Sequence, residues 1–92
     1  MSNTEESMTI MKILCNPNRF AILSLLSDIT NDICVNEIAE KVGISQSLAS
    51  HQLSYLEARG IVKSMRMGKT ICYELDTSTL VKKSVKVINL LK

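Results

Sequence analysis

Serine, glutamine and histidine side chains cluster along one short stretch that is predicted to be helical, from about Gln46 to Arg59. Its apolar residues Ala49, Leu53 and Leu56 fall on one face, so the opposite face is polar. A major groove of DNA admits one α-helix that buries one side and offers hydrogen-bonding groups on the other. The candidate DNA contacts of this predicted recognition helix are Ser45, Gln46, Ser47, Ser50, His51 and Gln52.

These side chains suit two kinds of DNA contact. Ser45 and Ser47 stand at the predicted helix start, where hydroxyls and backbone N–H groups near the positive end of the helix dipole can bind phosphates. A glutamine can pair with adenine through two hydrogen bonds. We therefore expect base-edge contacts from the longer or better directed side chains of Gln46, Ser50, His51 and Gln52.

Two cations lie in a predicted β-hairpin that follows this helix. Residues 61–67 and 70–76 have strand character and are joined across Met67-Gly68-Lys69. Arg66 and Lys69 flank the tip, where long cationic side chains can reach phosphates or a minor groove. The hairpin is thus predicted to be a DNA-contacting wing. Either feature alone is equally well explained as a solvated surface, and their adjacency in the chain favours DNA binding.

Cys34 and Cys15 are the candidate redox thiols. Cys34 stands at a predicted helix start, where the pKa of a thiol is lowered, and Cys15 is the expected resolving partner because Cys72 lies in the hairpin. The ordinary interpretation, a small apolar side chain at Cys34, is favoured over a sensing role. Three widely spaced cysteines also argue against a secreted disulfide scaffold and indicate a cytoplasmic protein.

The predicted elements that must position these residues are mostly helical. Helices are expected at residues 4–14, from the Asn16-Pro17 cap onward, at residues 35–42 and 46–59, and from Asp76 or Thr77 to the end. Gly43-Ile44-Ser45 forms the turn between the third and fourth helices. This order predicts a mainly α fold with a small β-hairpin, a winged helix-turn-helix.

The last predicted helix carries more apolar residues than one domain needs to cover. These residues are Leu80, Val81, Val85, Val87, Ile88 and Leu91. An exposed apolar surplus is stable when a partner buries it, which predicts a homodimer that uses the last helix.

The composition argues against several classes of protein. With 92 residues, 46% of them hydrophobic and 22% charged, the chain is expected to fold as a single domain over residues 1–92. Only 3% are aromatic, which disfavours recognition of single-stranded nucleic acid by stacking. One histidine and no glycine-rich phosphate loop argue against an enzyme and against a cofactor. No export signal and no apolar run long enough for a membrane are found.

Four stretches resemble the ArsR/SmtB family of small repressors. They are residues 12–23, CVNEIAEKVGISQSLASHQLSYLEARGIV at Cys34–Val62, RMGKTICYEL at Arg66–Leu75, and the closing helix. The resemblance implies a dimer with the first and last helices packed across a two-fold axis, and two recognition helices entering successive major grooves.

The chain departs from the metal-binding patterns of that family. Where the family has Cys-Val-Cys, this sequence has Cys34-Val35-Asn36, and residues 77–92 contain no His, Asp or Glu. We therefore expect no metal site. The overall prediction is a homodimeric, sequence-specific regulator that binds an imperfect palindrome in double-stranded DNA, represses transcription and has a candidate thiol response. The alternative is a winged-helix protein-interaction module without DNA binding.

Overall fold

The computed structural model describes residues 2–92, which form five helices and three strands. In chain order the elements are α1 (Asn3–Leu14), α2 (Pro17–Ser27), β1 (Ile33–Cys34), α3 (Val35–Val42), α4 (Gln46–Ala58), β2 (Val62–Met67), β3 (Thr70–Leu75) and α5 (Thr79–Leu91). The predicted mainly α, winged helix-turn-helix fold is confirmed.

Side-chain caps mark the starts of α1, α2, α4 and α5. Asn16 Oδ1 accepts hydrogen bonds from the backbone N–H groups of Asn18 (2.9 Å) and Arg19 (3.1 Å), and Pro17 follows at the first helical position. The last helix starts later than predicted, with Ser78 as its N-cap. The backbone N–H of Asp76 donates to the carbonyl of Ile61 at 2.9 Å, which holds Asp76 against the start of the hairpin and delays the helix.

The sheet has a strand that the sequence pattern did not predict. β1 pairs antiparallel with β3, so the strand order is β1-β3-β2, with Ile33 opposite Tyr73 and Cys34 opposite Cys72. Two residues are too short to display the alternation by which a strand is recognised. Pairing with β3 defines this strand, and it attaches the start of α3 to the base of the wing.

The core lies where α2 packs against each of the other helices and against β3. Its large, fully buried side chains come from all five helices and the sheet, and they include Ile13, Ile22, Leu23, Ile38, Leu53, Leu56, Ile61 and Ile88. α2 is therefore the central helix of the core. Burial of one face of α4 in this core decides which of its residues can meet a ligand.

No helix within residues 2–92 is both long enough and apolar enough to cross a membrane.

Candidate nucleic-acid interface

The turn between α3 and α4 is built by a glycine and a serine cap. Gly43 adopts a left-handed conformation with φ of 82°, and the N–H groups of Gly43 and Ile44 donate to the carbonyl of Ala39 at 2.8 and 3.0 Å. Ser45 Oγ then accepts from the N–H of Leu48 at 3.1 Å and starts α4. Because its hydroxyl oxygen is used as a cap, Ser45 fixes the helix start while remaining exposed.

The solvent side of α4 carries most of the predicted DNA contacts. Ala49, Leu53 and Leu56 are fully buried, as the periodicity predicted. The opposite side is polar and mostly exposed, with Ser50 half-buried. We call this side the recognition face, and it comprises Gln46, Ser47, Ser50, His51 and Ser54.

Gln52 does not lie on the recognition face, and its contact with a base edge stays a prediction that its burial disfavours. The side chain is 8% exposed, and its Oε1 accepts a hydrogen bond from Arg19 Nη1 at 3.2 Å. Gln52 follows Ala49 by three residues and precedes Leu56 by four, which places it on the buried side of a helix. The helical spacing in the sequence already indicated a buried position for Gln52. The prediction instead followed the ability of a glutamine side chain to pair with adenine.

The wing presents two cations that have no ion-pair or hydrogen-bond partner among residues 2–92. β2 and β3 run antiparallel with Met67 opposite Thr70, and the turn between them is opened by Gly68 at φ of 68°. Arg66 and Lys69 are both exposed. The ion pairs found within residues 2–92 use other lysines, namely Lys63, Lys83 and Lys92.

The cysteines pair differently from the prediction. Cys34 forms a disulfide with Cys72, and their Cα atoms are 3.7 Å apart across the β1–β3 pair. Cys15 was expected as the partner, and that prediction is wrong: Cys15 is a free, exposed thiol that donates to the carbonyl of Lys12 at 3.2 Å. The strand β1 brings Cys34 to Cys72, and this strand was not foreseen.

A second exposed surface, made by α1 and α5, is apolar. Its members, which we call the apolar face, are Met8, Met11, Val87, Leu90 and Leu91. Leu90 and Leu91 are 85% and 67% exposed, far more than large apolar side chains of a stable core. Beside them lies a groove of about 380 Å³ whose lining includes Ile10, Leu14 and Phe20.

No group of three or more His, Cys, Asp or Glu side chains that could hold a metal ion occurs in the part of the chain described, residues 2–92.

The model of the bacterial regulatory protein arsR family matches residues 16–64, which is more than half of the chain. The chain belongs to this family. It is 30% identical over 87 residues to the transcriptional activator HlyU of Vibrio cholerae, covering 95% of this chain and 78% of HlyU. It is also 32% identical to the nodulation protein NolR of Rhizobium meliloti, covering 87% of this chain and 64% of NolR.

Solved structures of ArsR-like regulators share the whole fold. HlyU from Vibrio cholerae matches with a TM-score of 0.82 at 30% identity, covering 98% of this chain and 95% of that one. The transcriptional repressor BigR from Xylella fastidiosa matches with a TM-score of 0.81 at 26% identity, covering 95% and 84%. The chain is thus a DNA-binding transcriptional regulator of the ArsR family, and not an enzyme.

Proposed function

We propose that residues 1–92 act as a single DNA-binding domain that forms a homodimer, recognises an imperfect palindrome in double-stranded DNA and represses transcription. The observation that carries the proposal is the pairing of the recognition face with the unpartnered cations of the adjacent wing. A helix in the major groove supplies sequence specificity, and a cationic hairpin on the neighbouring DNA backbone adds affinity.

The polar residues in and just before the first half of α4 have different roles in this proposal. Gln46, Ser50 and His51 are proposed to contact base edges, because their side chains offer hydrogen-bond donors and acceptors on the solvent side. Ser47, in the first turn, is proposed to bind a phosphate together with backbone N–H groups at the positive end of the helix. Ser45 is proposed to help through its backbone and to keep the helix start in register.

Arg66 and Lys69 are proposed to bind phosphates or enter the minor groove beside the recognition site. Both are exposed and lie at or next to the hairpin tip, so either can extend to the DNA backbone without first breaking an ion pair within the described residues 2–92. Such contacts add affinity that is largely independent of sequence.

The apolar face supports the proposed homodimer. Met11 of α1 and Leu91 of α5 line one groove, so a second copy related by a two-fold axis would bury the same surface on both subunits. Two recognition helices would then meet DNA about one helical turn apart, which corresponds to an imperfect palindrome.

Binding of DNA can be tested with the protein and the duplex upstream of its own gene. Fluorescence anisotropy should detect at least about 1,000-fold tighter binding to this duplex than to a scrambled one. A footprint should show two half-sites separated by about one helical turn. Equal and weak binding to all duplexes would favour the alternative, a protein-interaction module.

Repression is the proposed regulatory outcome. Among the similar proteins, BigR is named a repressor, whereas HlyU is named an activator. A reporter gene placed behind the bound upstream region should be expressed less when the protein is present. Higher expression would contradict repression while leaving DNA binding intact. The proposed compartment is the cytoplasm, where bacterial DNA lies.

We further propose that the Cys34–Cys72 pair makes DNA binding sensitive to oxidants. Disulfides in the cytoplasm are usually transient or redox-sensing. Half-buried Cys34 occupies the N-cap position of α3 without a side-chain capping hydrogen bond, whereas Cys72 is 1% exposed. This difference suits Cys34 as the attacking thiol and Cys72 as the resolving one.

The proposed oxidation balances with a peroxide as oxidant. The Cys34 thiolate attacks one oxygen of hydrogen peroxide, the O–O bond breaks, and a sulfenic acid forms as the first water leaves with one proton taken up. The Cys72 thiolate then attacks the Cys34 sulfur, the S–S bond forms as the S–O bond of the sulfenic acid breaks, and the hydroxide that leaves takes up one proton to become the second water. Two thiols lose two electrons and two protons in total, and the bond ties the start of α3 to β3 of the wing.

Peroxide should lower operator affinity of the wild type, and a thiol reductant should restore it. Cys34→Ser should bind DNA like the wild type under reducing conditions and should not respond to peroxide. Cys15→Ser is the matched control, because Cys15 lies outside the pair, and it should respond fully. A peroxide response retained by Cys34→Ser would contradict this mechanism.

A further inference from the structure

Arg19 joins the end of α1 to the buried side of α4. Its Nε donates to the carbonyl of Ile13 at 2.9 Å and its Nη2 donates to the carbonyl of Lys12 at 3.0 Å. The remaining terminal nitrogen, Nη1, donates to Gln52 Oε1 at 3.2 Å. The Cζ atom also lies 4.1 Å from the centroid of the Tyr55 ring. One guanidinium group thus contacts two helices that are distant in the chain.

The chemistry of these contacts requires an arginine. Lys12 and Ile13 are in the last turn of α1, where backbone carbonyls lack intrahelical partners and carry the negative end of the helix dipole. A planar guanidinium holds several donors in a fixed fork, and it can stack on an aromatic ring at the same time. An ammonium group keeps the charge and loses that geometry.

Gln52 is the matching acceptor on α4. A side-chain amide on the buried face of a helix loses hydrogen bonds to water, so its carbonyl needs a partner inside the protein. Arg19 supplies that partner from α2, 33 positions earlier in the chain. The arginine's own backbone N–H is held by the Asn16 cap at 3.1 Å, which fixes the start of α2 that carries it.

We propose that Arg19 and Gln52 are positioning residues that set the orientation of the recognition helix relative to the dimer axis. The inference rests on the proposed function, in which α1 helps to form the dimer and α4 reads DNA. Met8 and Met11 of the apolar face lie on α1, and Arg19 donates hydrogen bonds to the last turn of this helix. A rotation of α4 against α1 occurs in both subunits, so it changes the distance between the two recognition helices.

This positioning acts on specific binding more than on general attraction to DNA. Hydrogen bonds to base edges weaken steeply when their angles and distances change. Long cationic side chains such as those of the wing adjust to small displacements of phosphates. The consequence is a preference for one spacing between half-sites, maintained by the Arg19–Gln52 contact.

The experiment measures operator affinity as a function of half-site spacing. The wild-type protein first selects an operator from a random duplex library, and the selected operator is then remade with one base pair added or removed between its half-sites. Arg19→Lys, Gln52→Leu and the double variant are compared by fluorescence anisotropy, with thermal unfolding and sedimentation measured in parallel.

Each single variant should bind the selected operator about tenfold more weakly and bind random DNA within about twofold of the wild type. The preference for the selected spacing should flatten. The double variant should lose no more than Arg19→Lys alone, because that substitution already removes the Arg19–Gln52 contact. All variants should remain dimeric.

Arg59→Lys is the matched control. Arg59 also stacks on Tyr55, with its Cζ atom 3.4 Å from the ring centroid, and its hydrogen bond goes to the carbonyl of Tyr55 within α4. It therefore makes none of the contacts that join α1 to α4, and this variant should keep the wild-type spacing profile.

Three outcomes would overturn the inference: an unchanged spacing profile in Arg19→Lys and Gln52→Leu, additive losses in the double variant, or equal losses on specific and random DNA that follow the loss of thermal stability. None of these outcomes would count against the proposed DNA binding. That proposal fails separately, if the wild-type protein selects no operator at all.

Discussion

The two exposed surfaces of this regulator differ in how well water solvates them. The recognition face and the wing expose polar and cationic groups that water solvates well in the absence of DNA. The apolar face exposes methionine, valine and leucine side chains that water does not solvate favourably. The recognition face and the wing can therefore bind and release DNA while the protein stays folded. The apolar face, in contrast, should remain covered by a second subunit.

The largest predicted effect comes from placing a charge on the apolar face. Met11→Asp should prevent dimerisation, because a carboxylate would be buried in the groove, and operator affinity should fall by roughly a hundredfold as the second half-site contact is lost. Sedimentation and anisotropy measure the two effects. Asn89→Asp adds the same charge to the exposed side of α5 and should leave the dimer intact. If the Met11→Asp protein is still a dimer at micromolar concentration, the apolar face is not the dimer interface.

On the polar surface, loss of a base contact should reduce specificity. Gln46→Ala and His51→Ala should each weaken binding to the operator by about 1 to 3 kcal/mol and change binding to random DNA much less. Competition anisotropy with both duplexes measures the difference. Asn31→Ala, in the loop before β1, is the control and should bind like the wild type. Equal losses on both duplexes would reassign these residues to phosphate contacts.

Loss of a wing cation should weaken all DNA binding to a similar extent. Arg66→Ala or Lys69→Ala should lower the slope of log affinity against log salt concentration by about 1, with specificity retained. Titrations at several salt concentrations measure that slope. Lys63→Ala removes the same charge from the same hairpin, and it should change the slope less because Lys63 already pairs with Glu74 at 3.5 Å. A larger effect from Lys63 would contradict the proposed role of the wing tip.

The smallest predicted effect concerns stability and leaves both surfaces unchanged. Burial, with Glu57 nearby, raises the pKa of Tyr73 above its usual value. The unfolded chain therefore loses this proton at lower pH than the folded protein, so the free energy of unfolding falls as the pH rises from the ordinary tyrosine pKa through the raised one. Tyr73→Phe should show a shallower fall above about pH 10 in urea unfolding with reductant present. An identical slope in both proteins would contradict this assignment.

Much of the fold follows from local patterns in the chain. The Asn16-Pro17 helix start, the Gly43 turn and the Gly68 hairpin were predicted and are confirmed, because capping and left-handed backbone depend on residues close in sequence. The buried face of α4 was also predicted, because the spacing of apolar residues along a helix is a local pattern. Its 3.6-residue periodicity also separates Gln52 from the recognition face, although the chemistry of the side chain suggested a DNA contact.

The remaining features depend on residues that only the tertiary structure brings together. Cys34 meets Cys72 across 38 positions because a two-residue strand pairs with the wing, and no local pattern specifies that pairing. Arg19 meets Gln52 across 33 positions because α2 packs against both α1 and α4. Local propensity and periodicity determine which face of an element is buried, whereas the partner that a buried polar or sulfur atom finds depends on how the elements pack.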